Sequence, residues 1–147
     1  MLKRESLINE FWARVASATG ITRTARNPVA KPDPSDMPLA NLFDFQSKVM
    51  KTGGGGKTSL PTLSFETAIH TEVFVAGTSD EEATNELMTV LTAVLASIFS
   101  DGSSLGGIDC MVKISEFTRV FRPPVGNFVA AIGVTCYIYY NEDLNEL

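Results

Sequence analysis

The stretch from Thr78 to Tyr140 constrains the fold more than any other part of the chain. Ala83, Leu87, Val90, Leu91, Val94, Leu95 and Ile98 recur at helical spacing and predict an amphipathic helix over residues 79–100. Thr78 with Glu81, or Ser79 with Glu82, offers a capping box at its start. Asp80, Glu81 and Glu82 suit the positive end of the helix dipole, and Asp101-Gly102 ends the helix. Asp101-Gly-Ser-Ser-Leu-Gly-Gly107 then turns the chain, with Leu105 capping the core beneath it. Two long strands follow, joined through Pro123-Pro-Val-Gly126. In the first, Ile108, Cys110, Val112 and Ile114 alternate toward Phe121; in the second, alternate residues from Phe128 to Tyr140 are apolar. The other face of that second strand, with Val129, Ala131, Tyr137 and Tyr139, is apolar as well. Such a strand is central in its sheet or covered by a neighbouring subunit.

The first half supplies the rest of a sheet. Leu7, Ile8, Phe11, Trp12 and Val15 predict a helix over 3–18, with Gly20 as its stop. Residues 21–26 form a short strand. Pro28, Pro32, Pro34 and Pro38 exclude helix and central strand, so 27–38 is expected to be an extended surface arm. Residues 39–50 read as one strand, and 51–60 as a glycine-rich hairpin loop. Leu63, Phe65, Ile69, Val73 and Val75 alternate with polar residues over a strand longer than the usual 5–6 residues. The acidic tail 141–147 is expected to be loose. The expected fold is α+β: a single two-layer domain over 1–147, its mostly antiparallel sheet with long hairpins covered by two main helices.

Composition narrows the function. A chain of 147 residues with 44% hydrophobic content can bury a real core. No apolar run approaches the roughly 20 residues of a membrane helix, and the charged first residues do not read as a secretory signal. A net charge of −5 and a pI near 4.8 argue against gripping nucleic acid, while allowing DNA to slide past without sticking. Cys110 and Cys136 fall in apolar strand patterns and read as reduced core thiols; with His70 as the lone histidine they are too few for a zinc site.

Gly53-Gly-Gly-Gly-Lys57-Thr58 is not a phosphate-binding loop. Lys51 stands where that motif needs its first glycine, and a strand rather than a helix follows. A flexible hairpin loop is the better reading. His70 lies on the polar face of a strand with no nucleophile at recognisable spacing, and Asp33, Asp36 and Asp44 lack the spacing of an ion loop. No catalytic, cofactor-binding or metal-binding residue is assigned, and no cofactor is expected. Arg119 and Arg122 flank Phe121 near a hairpin tip; a solvated strand end is the plain reading and a protein contact the sharper one. The candidate interface residues are Arg26, Pro28, Lys31, Lys51, Lys57, Arg119, Phe121 and Arg122.

In order along nearly the whole chain, these features resemble the tail terminator (tail completion) proteins of tailed bacteriophages. The likeness is carried by the N-terminal helix, Arg26-Asn-Pro28, the extended run into Met37-Pro-Leu-Ala-Asn-Leu-Phe-Asp44, the long strand and capped helix, Asp101-Gly-Ser-Ser-Leu-Gly-Gly107, and the closing Tyr137-Ile-Tyr-Tyr140. The resemblance implies a non-enzymatic virion protein, assembled in the host cytoplasm, that forms a hexameric ring on the head-proximal end of the tail. Its partners would be copies of itself, the tail-tube protein and a head–tail connector, with DNA passing through the lumen and no membrane involved. A head-side connector or another minor tail protein is the alternative, and a small ligand-binding α+β domain a more distant one.

Overall fold

The computed structural model describes residues 2–146. Helix α1 (Leu2–Ala16) leads into strand β1 (Arg23–Arg26), then β2 (Leu39–Asp44), β3 (Lys48–Gly54) and β4 (Pro61–Ala76). Helix α2 (Asp80–Ile98) connects these to β5 (Cys110–Phe117) and β6 (Val129–Asp143). The strands make one sheet in the order β1-β2-β4-β6-β5, with β3 also on β4, end to end with β2. All pairs are antiparallel except β1 with β2. The sheet's spine is β4 against β6, in register from Thr62 opposite Asp143 to Ala76 opposite Val129. Its 16-residue strand β4 runs about 50 Å at ~3.3 Å per residue.

Both helices lie on one face, so the fold is the expected two-layer α+β domain. Leu7, Ile8, Phe11 and Val15 of α1 and Ala83, Leu87, Val90, Val94 and Ile98 of α2 share one buried cluster with alternate residues of β4 and β6. Each such large side chain contributes about 1.5–3 kcal/mol. Ser79 caps α2, its Oγ accepting from the Glu82 N–H at 3.1 Å. Thr78 also donates to the Glu82 carboxylate. Arg14, buried between the helices, closes the other end of α2. Its guanidinium donates to the Ile98 carbonyl at 2.9 Å, the Ser104 carbonyl at 3.2 Å and the Asp101 carboxylate at 2.6 Å. A cation there also meets the negative end of the α2 dipole.

The structure corrects several expected boundaries. The single strand over 39–50 is two strands, broken at residues 45–47. Phe45 keeps one ladder bond, its N–H donating to the Ala68 carbonyl at 3.1 Å, and at the break the Arg4 guanidinium donates to Ser47 Oγ at 2.9 Å and the Phe45 carbonyl at 2.8 Å. Lys51–Gly54 belong to β3, so the glycine-rich loop shrinks to 55–60. Segment 27–38 is the crossover that the parallel β1–β2 pair requires, and it contains a 3₁₀ turn, Pro34–Asp36, capped by Asp33. Pro34 fits its first position because no N–H is needed there. β5 stops at Phe117, and Phe121 rejoins β6 through a single bridge to Ala131. The tail is less loose than expected. Asn141–Asp143 extend β6, buried Glu142 accepts from the Lys3 N–H at 3.3 Å, and Asn145 binds both backbone polar groups of Leu60 at 2.7 Å. Leu147 lies outside the described residues.

Candidate protein-binding surfaces

The second face of the sheet carries no helix. One end of it is roofed by chain segments. Phe121 stands edge-on to Phe74, with ring centroids 6.3 Å apart, in a small cluster with Leu39, Ala131 and Met37. The 122–127 loop reaches the crossover, where Gly126 packs so closely on Pro34 that an added Cβ would lie 2.7 Å from it. The rest of the face is half open. His70 lies over Gly133, where an added Cβ would come within 2.6 Å of the imidazole. Its Nδ1 is 2.9 Å from Thr135 Oγ1, and its Nε2 is 3.9 Å from the Glu72 carboxylate. Tyr137 and Tyr139 follow, with Lys113 Nζ 6.0 Å from the Tyr139 ring.

Large apolar side chains are exposed at both edges of the sheet. On one edge, β3 and its flanks leave Phe45, Val49, Met50 and Leu60 in solvent. On the other, β5 and the residues after it leave Met111, Ile114, Phe117 and Val120 exposed. Ile114 and Phe117 pair with Cys136 and Val134, so they face the helix layer, yet the helices do not cover them. Scattered exposed apolar residues are ordinary, but contiguous groups mark binding surfaces.

The eight candidate residues separate into two kinds. Lys31, Lys51, Lys57 and Arg119 are solvent-exposed, and half-buried Pro28 lines a cleft of about 300 Å³ beneath the crossover, beside Lys31 and Arg23. Arg26, Phe121 and Arg122 hold their own chain together instead. The Arg26 guanidinium bonds Asp44 at 2.9 and 3.2 Å and Glu5 at 3.1 and 3.2 Å. That guanidinium, with Asn27 and Arg4, holds the Asp44 carboxyl well below the usual carboxylate range, and Arg26 itself is raised by the same contacts. Phe121 is turned inward, and Arg122 reaches Thr84 Oγ1 at 2.6 Å at the start of α2. The exposed β5 edge was missed because Ile114 continues the alternation of Ile108, Cys110 and Val112, which reads as a buried strand face.

Among the described residues no group of three or more His, Cys, Asp or Glu could hold a metal ion. Cys136 is buried, which pushes its thiol up to about 12, and Cys110 is raised more mildly by partial burial. In register Cys110 faces Tyr140 while Cys136 faces Ile114. Those rungs lie four residues, or about 13 Å, apart along β6, beyond the reach of a disulfide. No described helix is long and apolar enough to cross a membrane.

No protein-family model matches the chain, and no curated protein matches it. Among solved structures 34 chains match. One of these is similar over 94% of both chains at 10% identity, with a TM-score of 0.56. At that identity the likeness is one of fold.

Proposed function

We propose that this chain is a tail terminator: six copies close into a ring that caps the tail tube, stops its growth and offers a docking face to the head. The observation that carries the reading is the pair of unlike apolar edges, β3 with its flanks on one side and β5 on the other. A subunit with two different sticky edges associates head to tail, and such contacts close into a ring when the rotation allows. The number six and the tube partner come from the resemblance of the sequence. The acidic balance, −5 overall, suits a lumen through which DNA passes without sticking. The test is electron microscopy of the purified protein mixed with its tail-tube protein, with native mass to count subunits. Six-membered rings on the ends of short tubes are expected. Tubes that grow freely beside an unattached protein would overturn the reading and favour a head-side connector.

A further inference from the structure

The charge of the chain is unevenly placed. Between Phe45 and Leu60 there are three lysines, Lys48, Lys51 and Lys57, and no acid. β3 and the turn after it carry this segment as a finger along one end of β4, with Phe45, Val49, Met50 and Leu60 exposed on it. Lys48 stands opposite Glu66 in the ladder, whereas Lys51 stands opposite Ser64. The complementary surface is on the same chain. The start of α2 carries Asp80, Glu81, Glu82 and Glu86. Asp80 lies 3.9 Å from Arg122, while Glu81 and Glu86 are exposed along a cleft of about 370 Å³.

Within one copy the two surfaces cannot meet. β3 pairs with residues 61–66 at one end of β4, and α2 starts beyond Ala76 at the other. The ten residues between Glu66 and Ala76 span about 33 Å, several times the ~8 Å screening length at physiological salt. Between copies arranged head to tail no such separation applies. Gly53 offers a probe of the finger's face. Its φ is not in the left-handed region, and an added Cβ would meet nothing within 4 Å, so its own chain does not call for glycine there.

We infer that the β3 finger docks on the acidic face of α2 in a second copy, its apolar side chains covered by that contact and Lys51 and Lys57 facing Glu81 and Glu86. This deepens the ring reading and rests on it for closure into six; the contact itself needs only two copies.

The test uses full-length chain with two charge-reversed variants, Lys51→Glu with Lys57→Glu and Glu81→Lys with Glu86→Lys. All four positions are exposed, so both variants should keep the wild-type melting temperature. Self-association is read by native mass and light scattering wherever the wild type assembles, alone or on tube ends. Each variant alone should lose about tenfold or more in association, and an equimolar mixture should regain it, because each then meets its complement. Gly53→Val is the second probe. It should fold unchanged and associate more weakly. Wild-type rings with neither charge variant impaired, or impairment that mixing does not rescue, would overturn the docking and leave the ring reading standing. A wild type that stays monomeric both alone and with tube protein would overturn both.

Discussion

Replacing Asp44 by Asn tests the electrostatic anchor of the fold. The Asp44 side chain is 9% exposed and accepts from Arg26 at 2.9 and 3.2 Å, from Arg4 at 3.1 Å and from Asn27 at 2.6 Å. These bonds tie the start of α1 to the ends of β1 and β2. Removing one partner of a fully buried pair costs about 3–5 kcal/mol, and of an exposed pair at most about 1 kcal/mol. The Arg4 and Arg26 side chains are 19% and 22% exposed. Asp44→Asn should therefore cost about 2–3 kcal/mol, which lowers the melting temperature by about 4–12 °C in a chain of this size. Urea unfolding at a series of pH values gives the sharper assay. The folded-state pKa of Asp44 is depressed, so its contribution is complete above the unfolded value near ~3.9 and is lost as pH falls through the folded one. The gap between wild type and variant should be full at pH 7 and shrink steadily below about pH 4. Glu5 is also depressed by Arg26, but it is present in both proteins and largely cancels. A gap equal at pH 7 and pH 2.5, or one below about 0.5 kcal/mol at pH 7, would refute the argument.

Gly133→Ala should cost about 1–3 kcal/mol, because the new methyl meets His70 and Thr118; adding His70→Ala should recover most of it in a double-mutant cycle of chemical denaturation. Arg14→Ala should cost about 2–3 kcal/mol by leaving the Ile98 and Ser104 carbonyls unpaired, measured the same way. With a thiol reagent at pH 8 the half-buried Cys110 should be labelled well before Cys136, and equal rates would contradict the burial that raises Cys136. Val29→Asp, at a fully exposed position on the crossover, should change stability by less than about 0.5 kcal/mol, so any loss of tube capping in that variant would assign the crossover to a binding contact.

The elements legible in the sequence are those whose signals are local. α2, β4 and β6 each carry an uninterrupted period and clear boundaries, and each formed within a few residues of expectation. What was not legible depends on distant partners. At the break over residues 45–47 the distant Arg4 binds Phe45 and Ser47, and the apolar run through Leu42, Phe43 and Phe45 hides it. The Arg14 partner Asp101 lies 87 positions away, so no spacing points to it. Three of the interface candidates, Arg26, Phe121 and Arg122, likewise have distant partners within the chain that no spacing reveals. Half-buried Arg26 satisfies its donors on the Asp44 and Glu5 carboxylates, while exposed Arg122 donates to the Thr84 hydroxyl. Ile114, which continues a core-like alternation, lies with Phe117 on an edge strand beyond the helices.

The β5 edge also bears on how copies can associate. A two-fold dimer through this edge would need the strand free along its length to pair antiparallel with itself. The outward N–H of Val112 is already taken by the Ser103 carbonyl at 2.7 Å, in the loop that follows α2. That leaves only Lys113 to Phe117 of β5 open, below the usual strand length of about 5–6 residues once the bulge between Ile114 and Glu116 is allowed for. Under the proposed ring, the exposed row on β5 would meet a different surface of the next copy rather than itself. An edge that resists its own mirror while keeping Ile114 and Phe117 bare favours head-to-tail contact, the arrangement that a closed ring requires.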